Sequence, residues 1–484
     1  MIPVKLRGEE SSITRGSEVR DCRILVALAS YGTANNRYLE KVIDEYRSMP
    51  FDIDIVILSN IEKRPAADIE CLVGLPNKNP WSLPFSHKKL FAERLNDYDL
   101  FIYSEDDILI TERNIRAFLE VSAVLAEDEI AGFLLVEKDL DGGLNYPQMH
   151  GHFHWDCTSV RVRGNYCLAH FTNEHAASYL LTQQQLAKAI ESGGFLVEPH
   201  EGKYDLLCTA ATDPYTQCGF KKLIPVSEIE DFAAHHLPNK YIGKLGVDGP
   251  ELNSQIAALL RIVHDERAPV PLLNAGTRLW HSMYSKDYYE PVRDEVLSAV
   301  PEGAKRILSI GCASAANERR LVKSGRRVAA VPLDPVISSS TSRTGVEIVE
   351  GDLRTARASI ENERFDCLLY LDILQFVRDP VELLSLFVDL LSPNGRIIIS
   401  APNLPSYRYL WQSVKNDRKL RRWGRYEATG VHNTSIGRVR KWCASCGLTV
   451  EKIFRVIPDK GRKSIGGLGR SLLVSDFVIV AKRA

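Results

Sequence analysis

Residues 100 to 108 read Leu-Phe-Ile-Tyr-Ser-Glu-Asp-Asp-Ile, an apolar, β-prone run that ends in three consecutive acids. A buried strand has to leave its sheet at Glu105-Asp106-Asp107. Carboxylates packed this closely repel one another and are tolerated best where a divalent cation, and through it a diphosphate, sits between them. Ile24 to Ala29 and Ile53 to Leu58 are two more buried-strand runs, the first ending in Ser30-Tyr31-Gly32. Downstream, Thr111 is placed to cap a helix that turns Ile115, Phe118, Leu119 and Leu125 inward. Strand, loop and helix alternate, which predicts an α/β domain. The plainer reading of the acids is that they open the next helix, whose dipole favours negative charge there.

A chain of 484 residues exceeds one ordinary core and calls for two or more domains. A hydrophobic content of 45% beside a net charge of −1 gives no general pull toward nucleic acid or anionic membrane. No nucleic-acid-binding module is recognisable. Met1 to Arg20 is polar and mixed in sign, without the apolar stretch of a signal peptide, and no run reaches the length of a membrane span. The expectation is a cytoplasmic protein with no integral membrane segment. Its ten cysteines are scattered, as reduced and mostly buried thiols would be. Cys443-x-x-Cys446, on a helical stretch with no second pair, reads as helix packing rather than a zinc site.

Periodicity is lost and prolines appear from His264 to Leu273, which sets a linker at 263–285 between a first domain at 1–262 and a second at 286–484. The second opens with Arg306-Ile307-Leu308-Ser309-Ile310-Gly311, a strand running into a small-residue turn. A helix follows, then the strand Val328 to Leu333, which ends in Asp334. This is a Rossmann-type βαβ unit: Gly311 lets backbone approach a ligand, and Asp334 is placed to accept hydrogen bonds from ribose hydroxyls.

The first half, through Glu105-x-Asp107, resembles glycosyltransferases of the A-type fold, whose D-x-D motif ends a strand and binds Mn²⁺ or Mg²⁺ with a nucleotide-sugar diphosphate. The EDD form is similar to that of the N-acetylglucosaminyltransferases. The resemblance implies Asp107 as the metal ligand, Glu105 near the ribose, and Ser30, Tyr31 and Gly32, with Arg37 beyond them, as donor contacts. It also implies a late histidine in the metal shell, for which His236 is preferred to His235 within Asp231 to Tyr241. Lys88, on the helix before the EDD strand, can neutralise diphosphate charge, or it is a solvated lysine. An inverting transfer needs a base for the acceptor hydroxyl, with Glu137, Asp205 and Asp213 as candidates. Glu137 follows the apolar run Gly132 to Val136, and Asp213 precedes Pro214. His150-x-His152-x-His154 has the alternation of one strand face, suited to a metal site or a polar acceptor loop.

From Tyr288 onward the chain resembles class I S-adenosylmethionine-dependent methyltransferases. Glu350-Gly351-Asp352 looks like the acidic position near adenine, and Phe365 to Asp372 like the fourth strand. Leu391 to Ser400 looks like the turn into the fifth, with Val450 to Val456 and Phe477 to Ala481 as an antiparallel edge. The chain departs from the family at Ser309, Ala313 and Ala315, where an acid and two glycines are usual. Leu374-Gln375-Phe376 stands where Leu-Glu-His is common. Methyl transfer depends on alignment more than on acid–base help, so these losses leave the chemistry open.

The combined expectation is a bifunctional glycan-modifying enzyme: metal-dependent transfer from a nucleotide sugar to a glycan or lipid-linked acceptor, plus S-adenosylmethionine-dependent methylation. The rival readings are a methyltransferase with a non-catalytic carbohydrate-binding first half, and a scaffold with decayed sites. Arg408 to Arg425, rich in Lys and Arg with Trp411 and Trp423, is either a grip for an acidic acceptor or a solvated helix face.

Overall fold

The computed structural model describes residues 22–147, 153–243, 246–264, 270–275, 277, 279, 282–416, 426–457 and 473–484. The chain falls into two compact units, Met1–His150 with Ser159–Arg267, and Gly151–Thr158 with Ala268–Ala484.

The first unit is built on a five-stranded sheet in the order Ser178–Thr182, Leu100–Glu105, Arg23–Ala29, Asp52–Ser59, Glu70–Val73. Only the Ser178–Thr182 strand runs antiparallel to its neighbour. The three central strands are buried on both faces, which is why their sequences are continuous apolar runs rather than alternating ones. Ala29 pairs with Leu58 on one side and with Glu105 on the other, so the first and fourth strands end together. The chain leaves Arg23–Ala29 toward one side of the sheet and later returns on the other. The crevice between Ser30 and Asp106 is thus the switch point where such sheets take ligands. Thr111 caps the helix Glu112–Ser122 as expected, accepting from the Asn114 amide at 3.3 Å.

A second sheet in this unit runs Val247–Asp248, Leu144–Tyr146, Leu134–Lys138, Ala233–His236, Ile108–Leu109. Its register sets His236 opposite Ile108, one residue from Asp107. Behind it, Lys222 is buried and donates to the carbonyls of Phe133 at 2.8 Å and Glu174 at 3.0 Å. Burial lowers its ammonium to about 7.

The second unit holds a seven-stranded sheet in the order Glu347–Ile348, Arg327–Pro332, Arg306–Cys312, Phe365–Leu371, Leu391–Pro402, Asp476–Arg483, Leu448–Val456. Asp476–Arg483 is antiparallel to both its neighbours and the other pairings are parallel. Alternate residues feed cores on opposite faces: Leu308, Leu368 and Ile397 on one, Ile307, Leu369 and Ile398 on the other. The expected linker range is corrected in part, because Leu273, Ala275, Leu279 and Tyr284 are buried in the core of this unit. Apolar residues without helical or strand spacing conceal such a segment from periodicity arguments. No helix among the described residues is long and apolar enough to cross a membrane.

Candidate functional site

In the first unit, the loop after the first strand and the acids after the fourth meet directly. Ser30 Oγ donates to Asp106 Oδ2 at 2.5 Å, and Asn35 Nδ2 bridges Asp106 Oδ1 at 2.8 Å and Asp107 Oδ2 at 3.1 Å. Lys63 Nζ donates to Ser30 Oγ at 2.5 Å and to Asn36 Oδ1 at 3.0 Å, placing a cation behind the acids. Burial pushes the Asp106 carboxyl up, while Ser30 and Asn35 hold it down. Glu105 stands well above the usual carboxylate range through burial and then the charges of Asp107 and Asp106, and its Oε1 has no partner among the described residues.

His236 and Asp107 face each other, with Nε2 3.6 Å from Oδ2. That is too long for a hydrogen bond. Adjacent ligands about 2.1 Å from an octahedral ion stand roughly 3.0 Å apart, so the pair would have to close by about half an ångström to share Mn²⁺ or Mg²⁺. His236 Nδ1 lies 2.6 Å from Glu137 Oε1, which leaves Nε2 as the ring nitrogen facing Asp107. Glu137 Oε2 accepts from the Tyr241 amide at 2.8 Å. Among the described residues no group of three or more His, Cys, Asp or Glu side chains could hold a metal ion, so an ion here would draw its other ligands from water or a bound diphosphate. His235 points elsewhere, its Nε2 lying 3.1 Å from Asn239 Oδ1.

Three expectations for this site are corrected. Glu137, expected as a catalytic base, is fully buried with both oxygens engaged, and its place is behind His236 rather than in front of an acceptor. Asp213, the other expected base, is closed within a buried ion pair with Lys88, and His200 Nε2 lies 3.5 Å from its second oxygen. Lys88 is thereby neither solvated nor facing a diphosphate; it lies over the Phe85 ring at 4.6 Å. Both ions are buried because each compensates the other. Asp205 caps the short helix Leu206–Thr209. Tyr31 is exposed, the Gly32 amide donates to Asn60 Oδ1 at 2.7 Å, and Arg37 is exposed with its guanidinium over Tyr38. His150 and His152 lie outside the described residues, as do residues 417–425 of the basic stretch.

In the second unit the corresponding crevice lies between the first and fourth strands, Arg306–Cys312 and Phe365–Leu371. Gly311 has φ +77°, and a Cβ there would stand 2.7 Å from Ile373 Cγ2. Ala315 takes a left-handed conformation ahead of the helix Ala316–Lys323. Ser309, standing where an acid is usual, donates to Glu318 Oε1 at 2.6 Å, so the next helix brings a carboxylate to this position. Asp334 Oδ1 accepts from the Val336 and Ile337 amides at 2.8 and 2.9 Å; burial pushes its carboxyl up to about 6 against those bonds and the neighbouring Tyr288 phenol. Asp352 is exposed and caps the helix Leu353–Ser359 through the Arg354 and Thr355 amides.

A buried ionic cluster lies at the end of the fourth strand. Arg293 donates to Asp372 Oδ2 at 2.7 Å, Glu290 Oε2 at 3.2 Å and Ser400 Oγ at 3.1 Å, and Lys286 reaches Glu290 Oε2 at 3.3 Å and the Leu371 carbonyl at 2.9 Å. Asp372 itself sits at φ +51°, a strained conformation held by these partners. Gln375 donates to the Asp372 carbonyl at 3.1 Å, and its buried Oε1 has no partner among the described residues. The sequence reading missed this cluster. Asp372, ending an apolar strand, was its only visible mark, while Lys286 and Arg293 lie in an aperiodic stretch before the first strand. In the first unit, Asn35 and Lys63 were missed for the same reason.

Residues 284–453 match the family model described as a methyltransferase domain. A ubiquinone biosynthesis O-methyltransferase from Xylella fastidiosa is 24% identical over 184 residues, which span 33% of this chain and 75% of that protein. Among solved structures, a SAM-dependent methyltransferase from Archaeoglobus fulgidus is 18% identical, covering 38% of this chain and 87% of that one with a TM-score of 0.31. The CcbJ methyltransferase from Streptomyces caelestis is 13% identical, covering 41% and 93%, also with a TM-score of 0.31.

Proposed function

We propose that the second unit, a class I S-adenosylmethionine-dependent methyltransferase domain, transfers a methyl group to a glycan or a small molecule, and that the first unit transfers a sugar from a nucleotide donor. The observation that carries the methyl-transfer reading is Gly311 and Asp334 at the ends of adjacent parallel strands, within a stretch that matches the methyltransferase family.

The residues present fit the cofactor. Gly311 keeps the turn open to close backbone approach, Asp334 would offer a carboxylate to ribose hydroxyls, and Asp352, in the next loop, holds the position that the family resemblance puts near adenine. Bound S-adenosylmethionine supplies a methyl group already activated by its sulfonium. What the protein adds is alignment. The Arg293–Asp372–Ser400 network stiffens the end of the fourth strand, where an acceptor would meet the cofactor.

The sugar-transfer reading is supported by the juxtaposition of Asp107 and His236 at the switch point of the first sheet. On this reading Asp107 and His236 would hold Mn²⁺ or Mg²⁺, which would supply positive charge beside a diphosphate. Ser30 and Asn35 fix the neighbouring Asp106.

Titration calorimetry with S-adenosylhomocysteine tests the methyltransferase site. The full chain is expected to bind it, and Asp334→Ala to weaken binding by about 10-fold or more, the scale of losing hydrogen bonds to a charged group. Absence of binding, or equal affinity in the variant, would overturn the assignment.

A further inference from the structure

The family match begins at residue 284, yet the second unit also takes in Gly151–Thr158 from far upstream. Phe153, Trp155 and Cys157 of that segment are buried, and His154 lies flat on Tyr288, with ring centroids 3.9 Å apart and planes 5° from parallel. Tyr288 is 2% exposed and touches both halves of the cofactor site. Its carbonyl accepts from the Ser314 amide at 2.9 Å, in the turn that follows Gly311, and its phenol lies beside the Asp334 carboxylate. Asp156 and Cys157 also lie within electrostatic reach of Asp334.

A tyrosine bonded through its backbone to one ligand-binding loop and packed beside the acid of another couples the positions of the two. Its ring must then be held in place. Core packing holds it from within the second unit, and the parallel His154 ring adds a further restraint, since stacked aromatic pairs contribute beyond their area burial.

We propose that the Phe153–Thr158 segment forms the outer wall of the cofactor site, and that His154 is a positioning residue that holds Tyr288 where it anchors both Asp334 and the Ser314 turn. Cofactor affinity is therefore set partly by residues that precede the methyltransferase stretch by well over a hundred positions. The inference rests on reading Asp334 as a ribose-binding acid.

The test is S-adenosylhomocysteine calorimetry on the full chain, with thermal melts for each variant. His154→Ala is expected to weaken binding about 5- to 10-fold, and His154→Phe, which keeps a ring over Tyr288, to restore it to within about twofold. Tyr288→Phe, which keeps the stack and removes the hydroxyl, is expected to weaken binding with the fold intact. If Asp334→Ala weakens binding while His154→Ala and Tyr288→Phe bind as the wild type does, the proposal is wrong and the methyltransferase reading stands. If the wild type does not bind, or Asp334→Ala is silent, both fall.

Discussion

Gly311→Ala is expected to lower the stability of the second unit by about 2–5 kcal/mol and to abolish S-adenosylhomocysteine binding. Two effects add. The residue sits at φ +77°, where a Cβ costs roughly 1–2 kcal/mol. The new methyl would also stand 2.7 and 2.9 Å from two carbons of Ile373, which is fully buried and has no room to yield, adding about 1–3 kcal/mol of overpacking. Displacing Ile373 disturbs the segment between Asp372 and Gln375, so damage passes from the first strand end to the fourth. Thermal unfolding with and without S-adenosylhomocysteine measures both effects: a lower Tm, and no further rise when ligand is added. A variant that melts and binds as the wild type does would show that neither the strain nor the contact matters.

The second large effect is expected at Glu137. His236 presents Nε2 to Asp107 because its Nδ1 is committed to Glu137 at 2.6 Å. Carboxylates placed in this way behind a ligating imidazole fix its tautomer and orientation, and losing one typically costs about 10–100-fold in metal affinity. Glu137→Gln is therefore expected to weaken Mn²⁺ binding by about 10-fold or more, and His236→Ala to remove it, as followed by Mn²⁺ electron paramagnetic resonance in the presence of UDP or GDP. Unchanged affinity in Glu137→Gln would mean that the imidazole does not depend on its buried partner.

What could be read from the sequence was local. Ile24 to Ala29, Ile53 to Leu58 and the EDD strand announce themselves as apolar runs, and Thr111 caps its helix through Asn114. The strand and turn at Gly311, and Asp334 after the next strand, were equally plain. Resemblance implied a late histidine but offered no means of separating His236 from His235, and the strand register that turns His236 toward Asp107 depends on tertiary pairing. What failed were roles set by distant partners. Glu137 is 99 residues from His236, and Lys88 is 125 from Asp213. No spacing rule links such pairs, so a carboxylate after a strand looked like a base and a lysine on a helix like a phosphate ligand. The upstream segment that packs His154 on Tyr288 was invisible for the same reason: its register belongs to one part of the chain and its burial to another.

On the proposed reading one chain carries two separate ligand sites, a metal-dependent nucleotide site at Asp107 and a cofactor site at Asp334. The most direct test is calorimetric titration of the full chain with UDP- and GDP-nucleotides, with and without Mn²⁺, alongside S-adenosylhomocysteine, repeated on Asp107→Ala. The prediction is nucleotide binding that requires Mn²⁺ and disappears in the variant, with S-adenosylhomocysteine binding unchanged by either. Nucleotide binding absent across the panel, or indifferent to Mn²⁺ and to Asp107, would contradict it and leave the methyltransferase domain as the functional part of the chain.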